Sequence, residues 1–282
     1  MKTSNLFLPL FVFLLFLNIA SAQSDLIKEQ TLQTNYGKSL AVSVPGGDVS
    51  ITTWNKEEVY VKITGDENTK NNYDFTINSN SGDITIKAEK KSNDNSDKVT
   101  AKIEVSVPDK YNTKVSTAGG DISIMNNLTG DIKLNTAGGD IKISSVTGTS
   151  KLNTAGGDIA VDNFKGDIKA NTAGGDIKLS GSDGEATLNT AGGKIELKYS
   201  GENKGISANT MGGDITIYLP SDFSADCKLT TMHGYINSDI KITTESKDNN
   251  DTQKNVINGK MNNGGNALKC ATMGGNITIK SF

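Results

Sequence analysis

The sequence contains no arginine; all 29 of its basic residues are lysine. That removes the side chain best suited to bidentate recognition of carboxylates and phosphates. With 32 acids against those lysines, it also argues against a nucleic-acid partner. Histidine occurs once, as His233 in "TMHGY", where related phrases carry glycine, so the commonest general base is almost missing. Tryptophan occurs once, proline four times and cysteine twice. Long apolar runs are lacking too, except at 6–17, where Pro9 is the one interruption. That run is short for a membrane span. With Lys2 before it and "IASA" after it, it reads as a secretory signal peptide at 1–22, cleaved after Ala22. No cysteine follows the site, so no lipid anchor is expected there. The cleaved chain is expected to be extracytoplasmic, in the periplasm or at the cell surface, and not membrane-spanning.

What the chain does have is a repeat. "NTAGGDIK" at 135–142, "NTAGGDIA" at 153–160 and "NTAGGDIK" at 171–178 follow at 18-residue intervals. Apolar pairs spaced by two recur every nine residues: Ile132/Leu134, Ile141/Ile143, Ser150/Leu152, Ile159/Val161, Ile168/Ala170, Ile177/Leu179. Each pair is the inward side of a short strand, and no stretch repeats at helical spacing. Nine is odd and strand side chains alternate with period two, so a continuous strand would turn every second pair outward. A turn must therefore follow each strand. The second glycine of each "GG" (Gly139, Gly157, Gly175, Gly193, Gly213) is expected to hold a strained corner. Two strands and two turns make one coil of about 18 residues, and stacked coils make a solenoid. The predicted fold is all-β, a single-chain parallel β-solenoid with one isoleucine per coil: Ile122, Ile141, Ile159, Ile177, Ile195, Ile215, Ile236, Ile277.

Residues 113–282 carry the regular repeats, with an excursion near 244–265. There the spacing widens and the alanine of "TAGG" gives way to Met211, Met232 and Met273, expected to fill a wider interior. Residues 23–112 are less regular and are expected to form thicker capping coils joined by polar loops such as "GDENTKNN". Aromatics concentrate in this part, and Trp54, Tyr60 and Tyr73 are candidates for a ligand platform. Cys227 and Cys270 point into one core, where a disulfide is open unless the pair is diagonal and too long.

The acids after "GG", Asp140, Asp158 and Asp176 among them, would stack as like charges. Lysines two residues on, as in Asp131/Lys133, Asp140/Lys142, Asp167/Lys169 and Asp176/Lys178, can neutralise them. A structural calcium is the alternative. Where the acid becomes Lys194 its neighbour becomes Glu196, which favours ion pairing, so no cofactor is expected. These three aspartates remain candidate ligand contacts.

"LAVSVPGGDVSITTWNKEEVYVKITG" (40–65), "IEVSVPDKYNTKVSTAGGDISI" (103–124) and the phrases from "YLPSDFSADCKLTTMHGY" to "CATMGGNITI" (218–279) resemble the DUF4097 family of adhesin-like bacterial envelope proteins. The resemblance implies a β-solenoid, an extracytoplasmic location and no catalytic residues to carry over. The expected function is non-enzymatic: binding or structural, adhesin-like, with a glycan or protein partner met by repeated polar columns. A carbohydrate-active enzyme and an envelope-stress regulator are the alternatives.

Overall fold

Ile159–Lys165 runs along one sheet, the chain turns at Gly166, Ile168–Asn171 runs along a second sheet, and "TAGG" at 172–175 turns it back to Ile177–Ser182. Repetition of this coil builds a 12-stranded and a 13-stranded sheet around one apolar core. The structure is a computed structural model describing residues 25–91, 99–244 and 255–282. The expected signal peptide and residues 245–254 of the excursion lie outside these. Among the described residues no helix is long and apolar enough to cross a membrane.

The central coils stack in parallel register. Ile141, Ile159, Ile177, Ile195 and Ile215 lie opposite one another in the first sheet, each at most 1 % exposed. Facing them, Ile132, Ser150, Ile168 and Ala186 alternate in size along the second sheet. The Ser150 hydroxyl is buried without a hydrogen-bond partner, as is that of Thr113.

The glycines work differently from the expectation. Gly139, Gly157, Gly175, Gly193 and Gly213 do not have positive φ; in these coils positive φ belongs to Gly130, Gly148 and Gly166, in the opposite corner. The second glycine of "GG" is required by close approach instead. A Cβ on Gly157 would collide with the carbonyl of Gly139 one coil below, and one on Gly175 with that of Gly157. The buried threonine of the motif ties the same corner. Thr154 Oγ1 donates to the Gly139 carbonyl (2.8 Å) and accepts from the Gly157 N–H (3.2 Å). Thr136, Thr172, Thr190 and Thr210 repeat the pattern.

At both ends sequence order and spatial order part. The coil 39–54 lies between the strands Asp83–Lys90 and Lys102–Pro108 on one side and 112–129 on the other, because Leu40 pairs with both Ile84 and Thr113, and Val49 with both Ile103 and Ile122. The last coil, 267–281, sits between 206–219 and 225–238. The isoleucine column is thus continuous, but its order is Ile215, Ile277, Ile236. The wide spacing near the end is a skipped level that the last strands fill, rather than a wider coil. Antiparallel strands then close each end: Asp25–Gln33 and Glu58–Gly65 at one, Val256–Met261 and Ile242–Thr244 at the other.

Two further expectations are corrected. "GDENTKNN" contains one short helix, Glu67–Asn72, because the Asp66 side chain accepts the Thr69 N–H (2.7 Å) and caps it. Met211, Met232 and Met273 are exposed rather than interior. The core here is filled by rings: Phe164, Tyr199 and Phe223 pack at centroid distances of 6.3 and 6.0 Å. Gly181 lies between Phe164 and Tyr199 in the stack and leaves them the room. The Tyr199 hydroxyl donates to the Gly184 carbonyl (2.8 Å).

Candidate ligand-presenting faces

Side chains that alternate with the buried pairs form straight columns on the outside of each sheet. On the second sheet, Lys114, Lys133, Lys151 and Lys169 stand opposite one another on four successive strands, all exposed. Neighbouring strands are about 4.8 Å apart, so the four ammonium groups recur at that interval. Two residues along each strand runs a column of amides. Asn153 Nδ2 donates to Asn135 Oδ1 (2.9 Å), Asn171 to Asn153 (2.8 Å), Asn189 to Asn171 (2.9 Å) and Asn209 to Asn189 (3.0 Å). Asn209 also donates to Ser207 Oγ (3.2 Å), while the amides of Asn153, Asn171 and Asn189 each have a second N–H to offer a ligand.

On the other side of the lysines stand Asn112, Asp131, Thr149, Asp167 and Glu185. Two shallow troughs run end to end between these columns, with volumes of about 440 and 220 Å³. They share Thr149 and Lys151, so together they span the strands from Ser39 to Thr187. A third concavity, about 570 Å³, opens where the chain skips a level near Asn203, Phe223 and Asn266. The Asn203 amide donates to the carbonyls of Ser224 (3.0 Å) and Asn266 (2.6 Å), so its polar groups hold the turns together.

The acids after "GG" have a role that spacing alone did not reveal. Asp140 Oδ1 accepts the backbone N–H of Asp158 (2.9 Å), Asp158 Oδ1 that of Asp176 (2.8 Å), and Asp176 Oδ1 that of Lys194 (2.7 Å). Each carboxylate caps the coil above it, which a short acceptor directly after the turn can do and which nothing in a linear sequence displays. Of the expected lysine partners, Lys142 reaches Asp140 at 3.0 Å. Lys178 turns to Glu196, directly opposite on the next strand, at 3.2 Å. Among the described residues no ion pair joins Asp131 to Lys133 or Asp167 to Lys169. The Asp158 N–H, with Lys142 second, holds the Asp140 carboxyl below the usual carboxylate range. Among the described residues no group of three or more His, Cys, Asp or Glu is placed to hold a metal ion.

The aromatic candidates are not brought together. Trp54 donates its Nε1–H to the Glu58 carbonyl (2.8 Å), with the Lys56 ammonium 4.8 Å from its ring. Tyr60 lies outside the first sheet and donates to Glu29. Tyr73 is buried in the core and offers a ligand nothing. The cysteines are free and buried. Cys227 pairs with Leu268 and Cys270 with Leu229, so they are diagonal neighbours. That geometry separates α-carbons by about 7–8 Å, beyond the reach of a disulfide. Burial pushes the Cys227 thiol up to about 11, and that of Cys270 higher still.

With the coil and its columns in place, residues 37–280 match the model of the Toastrack DUF4097 family. The chain belongs to that family. It is also similar to three crystal structures. A candidate adhesin from Parabacteroides distasonis ATCC 8503 is 12 % identical over 93 % of this chain and 98 % of that one, with a TM-score of 0.43. A candidate adhesin from Bacteroides fragilis NCTC 9343 is 16 % identical over 93 % and 99 %, with a TM-score of 0.41. A candidate lipid-binding protein from the same Parabacteroides strain is 14 % identical over 89 % and 96 %, with a TM-score of 0.38. No curated protein matches the chain.

Proposed function

We propose that this Toastrack chain is an extracytoplasmic, non-enzymatic binding protein, adhesin-like, that lays an extended glycan along the outer face of its second sheet. The observation that carries this reading is the registered lysine column Lys114/Lys133/Lys151/Lys169, which lines a trough parallel to the solenoid axis and has the amide column Asn135/Asn153/Asn171/Asn189 on its other side. Three successive levels, Lys133/Asn135, Lys151/Asn153 and Lys169/Asn171, each present an ammonium and an amide at an interval of about 4.8 Å. A polymer of repeating hydroxyl or carboxylate groups meets the same donors at level after level, so weak contacts add by multivalency. Rigidity supports this, since the columns are fixed by the strand register and lose little freedom on binding. The acids on the opposite wall, Asp131, Asp167 and Glu185, suit neutral or mildly acidic sugars better than densely charged ones.

The test is a glycan array probed with the purified chain, followed by product analysis of each hit. Retained, uncleaved oligosaccharides are expected, with affinity rising with chain length. Binding should weaken in Lys133→Ala/Lys151→Ala and in Asn153→Ala. Cleaved products would assign the trough to an enzyme, and silence on all glycans would remove the glycan reading.

A further inference from the structure

The corner residue between the buried threonine and "GG" is alanine in five consecutive coils: Ala118, Ala137, Ala155, Ala173 and Ala191. In the next three levels it is methionine. The filled-in last coil sets their order. Met211 N–H donates to the Ala191 carbonyl (3.2 Å), Met273 N–H to that of Met211 (3.2 Å), and the N–H of His233, just after Met232, to that of Met273 (3.1 Å). Met273 therefore stands between Met211 and Met232, with neighbouring backbones about one strand spacing, 4.8 Å, apart. All three are exposed, at 56 %, 49 % and 56 % for Met211, Met273 and Met232. Three large apolar side chains standing in water on adjacent levels gain nothing from burial, and the alanine coils show that the corner does not need them.

The single histidine of the chain completes the set. His233 Nδ1 lies 3.2 Å from the Met273 carbonyl. A carbonyl only accepts, so Nδ1 carries a proton, and in the neutral ring the lone pair is then on Nε2. Histidines that bind metal are commonly held in this way, one ring nitrogen donating to a backbone carbonyl and the other facing the ion. Hard ligands thin out at the same levels. The column that holds Asp140, Asp158 and Asp176 in central coils continues as Asp214, Asn276 and Tyr235, and Asp214 Oδ1 is engaged by the Asn276 N–H (2.8 Å). Thioethers are soft donors that carry no proton, and soft sulfur ligands select Cu(I), with imidazole a common companion ligand for copper. Methionine, with three rotatable bonds, can lean along the column so that three sulfurs converge.

We infer that Met211, Met273, Met232 and Nε2 of His233 form a surface site for Cu(I). The site lies on the corner, apart from the lysine trough, and does not depend on the glycan reading.

The purified full chain is titrated anaerobically with Cu(I) in ascorbate against the chelator bicinchoninate. In parallel, Ag(I), a redox-silent stand-in, is followed by NMR of carbon-13-labelled methionine methyls. One equivalent of Cu(I) withdrawn from the chelator is expected, with the methyls of Met211, Met232 and Met273 shifted. Those of Met125 (exposed elsewhere) and Met261 (buried) should not move. Met273→Leu and His233→Gln should each weaken Cu(I) binding on the order of tenfold or more, while Met125→Leu leaves it unchanged. All these side chains are exposed, and circular dichroism checks that each variant folds. The inference is overturned if the chain fails to compete for Cu(I), or if Zn(II) binds as tightly. It is equally overturned if a Met211→Leu/Met232→Leu/Met273→Leu variant keeps the ion, which would move binding to the Cys227 and Cys270 thiols.

Discussion

The central coils and the two ends of the solenoid are built from the same phrase but assembled by different rules. From 132 to 219 each coil rests on the one made just before it, and every strand pairs with its counterpart one coil earlier. The ends break that order. At one, 39–54 is laid down first, Asp83–Lys90 and Lys102–Pro108 stack on one side of it and 112–129 then stacks on the other. At the other end the chain leaves a level open, builds 225–238 beyond it and returns with 267–281. The centre is a nearest-neighbour stack of low complexity. The ends make their outermost levels depend on an element distant in sequence, and so resist peeling.

The largest expected effect comes from removing the element that fills the gap. Deleting residues 267–282 leaves 225–238 with no strand beneath it. Hydrogen exchange should show 225–244 and 255–261 losing nearly all protection, while amides in 141–197 keep theirs. If protection at the end survives the deletion, the terminal levels do not depend on the inserted coil.

Next in size is a contrast within one corner of the centre. Gly157→Val should destabilise by about 3 kcal/mol or more, because the obstacle to a Cβ is the Gly139 carbonyl, a backbone atom that cannot swing aside. Gly156→Ala, one residue earlier, meets only ordinary contacts with 137–138 and should be neutral or stabilise by about 0.5 kcal/mol through the unfolded chain. Urea melts of the two variants decide it, and equal losses would contradict the close-approach account.

A smaller effect is expected in the ring cluster of the core. Tyr199→Phe keeps the ring between Phe164 and Phe223 and removes the hydrogen bond to the Gly184 carbonyl, a loss of about 1–2 kcal/mol. The same change at Tyr60, on the outside, should be almost silent in the same melt.

The period made the fold legible. Ile141, Ile159 and Ile177 at 18-residue steps require a strand and a turn in each half coil, and no helix or continuous strand satisfies them. Gly157 was identifiable as indispensable, but the reason was misassigned, because a positive φ and a close approach both select glycine and only neighbouring backbones distinguish them. The stacking order at the ends was not legible at all. Every coil carries the same phrase, so Ile236 and Ile277 suit either position, and the choice rests on hairpins whose pairing is non-local. The methionines were misread for the same reason. Spacing suggested a wider coil to be filled, whereas a skipped level turns the same residues into an outer column. The lysine column needed register as well as spacing: Lys114 joins Lys133 across a 19-residue step and the others follow at 18.

The smallest prediction sets the acid column of the centre against its attenuated end. Asp140 accepts the Asp158 N–H and pairs with Lys142, and both interactions favour its ionised form, so its carboxyl titrates lower in the folded chain than unfolded. A group depressed in this way contributes stability that is fully present above its unfolded value, near pH 4, and is lost as pH falls through the folded one. The carboxylate is one-third exposed, and solvent screening limits the contribution to a few tenths of a kcal/mol. Asp140→Asn keeps an oxygen that can accept the Asp158 N–H but cannot titrate. Its melting temperature should approach that of the parent as pH falls through the folded value and lie slightly below it at pH 6. Asp140→Ala loses the acceptor as well and should lie below the parent at both. If Asn and Ala behave alike, the column stabilises through charge; if Asn matches the parent throughout, it stabilises through the cap on the next coil alone.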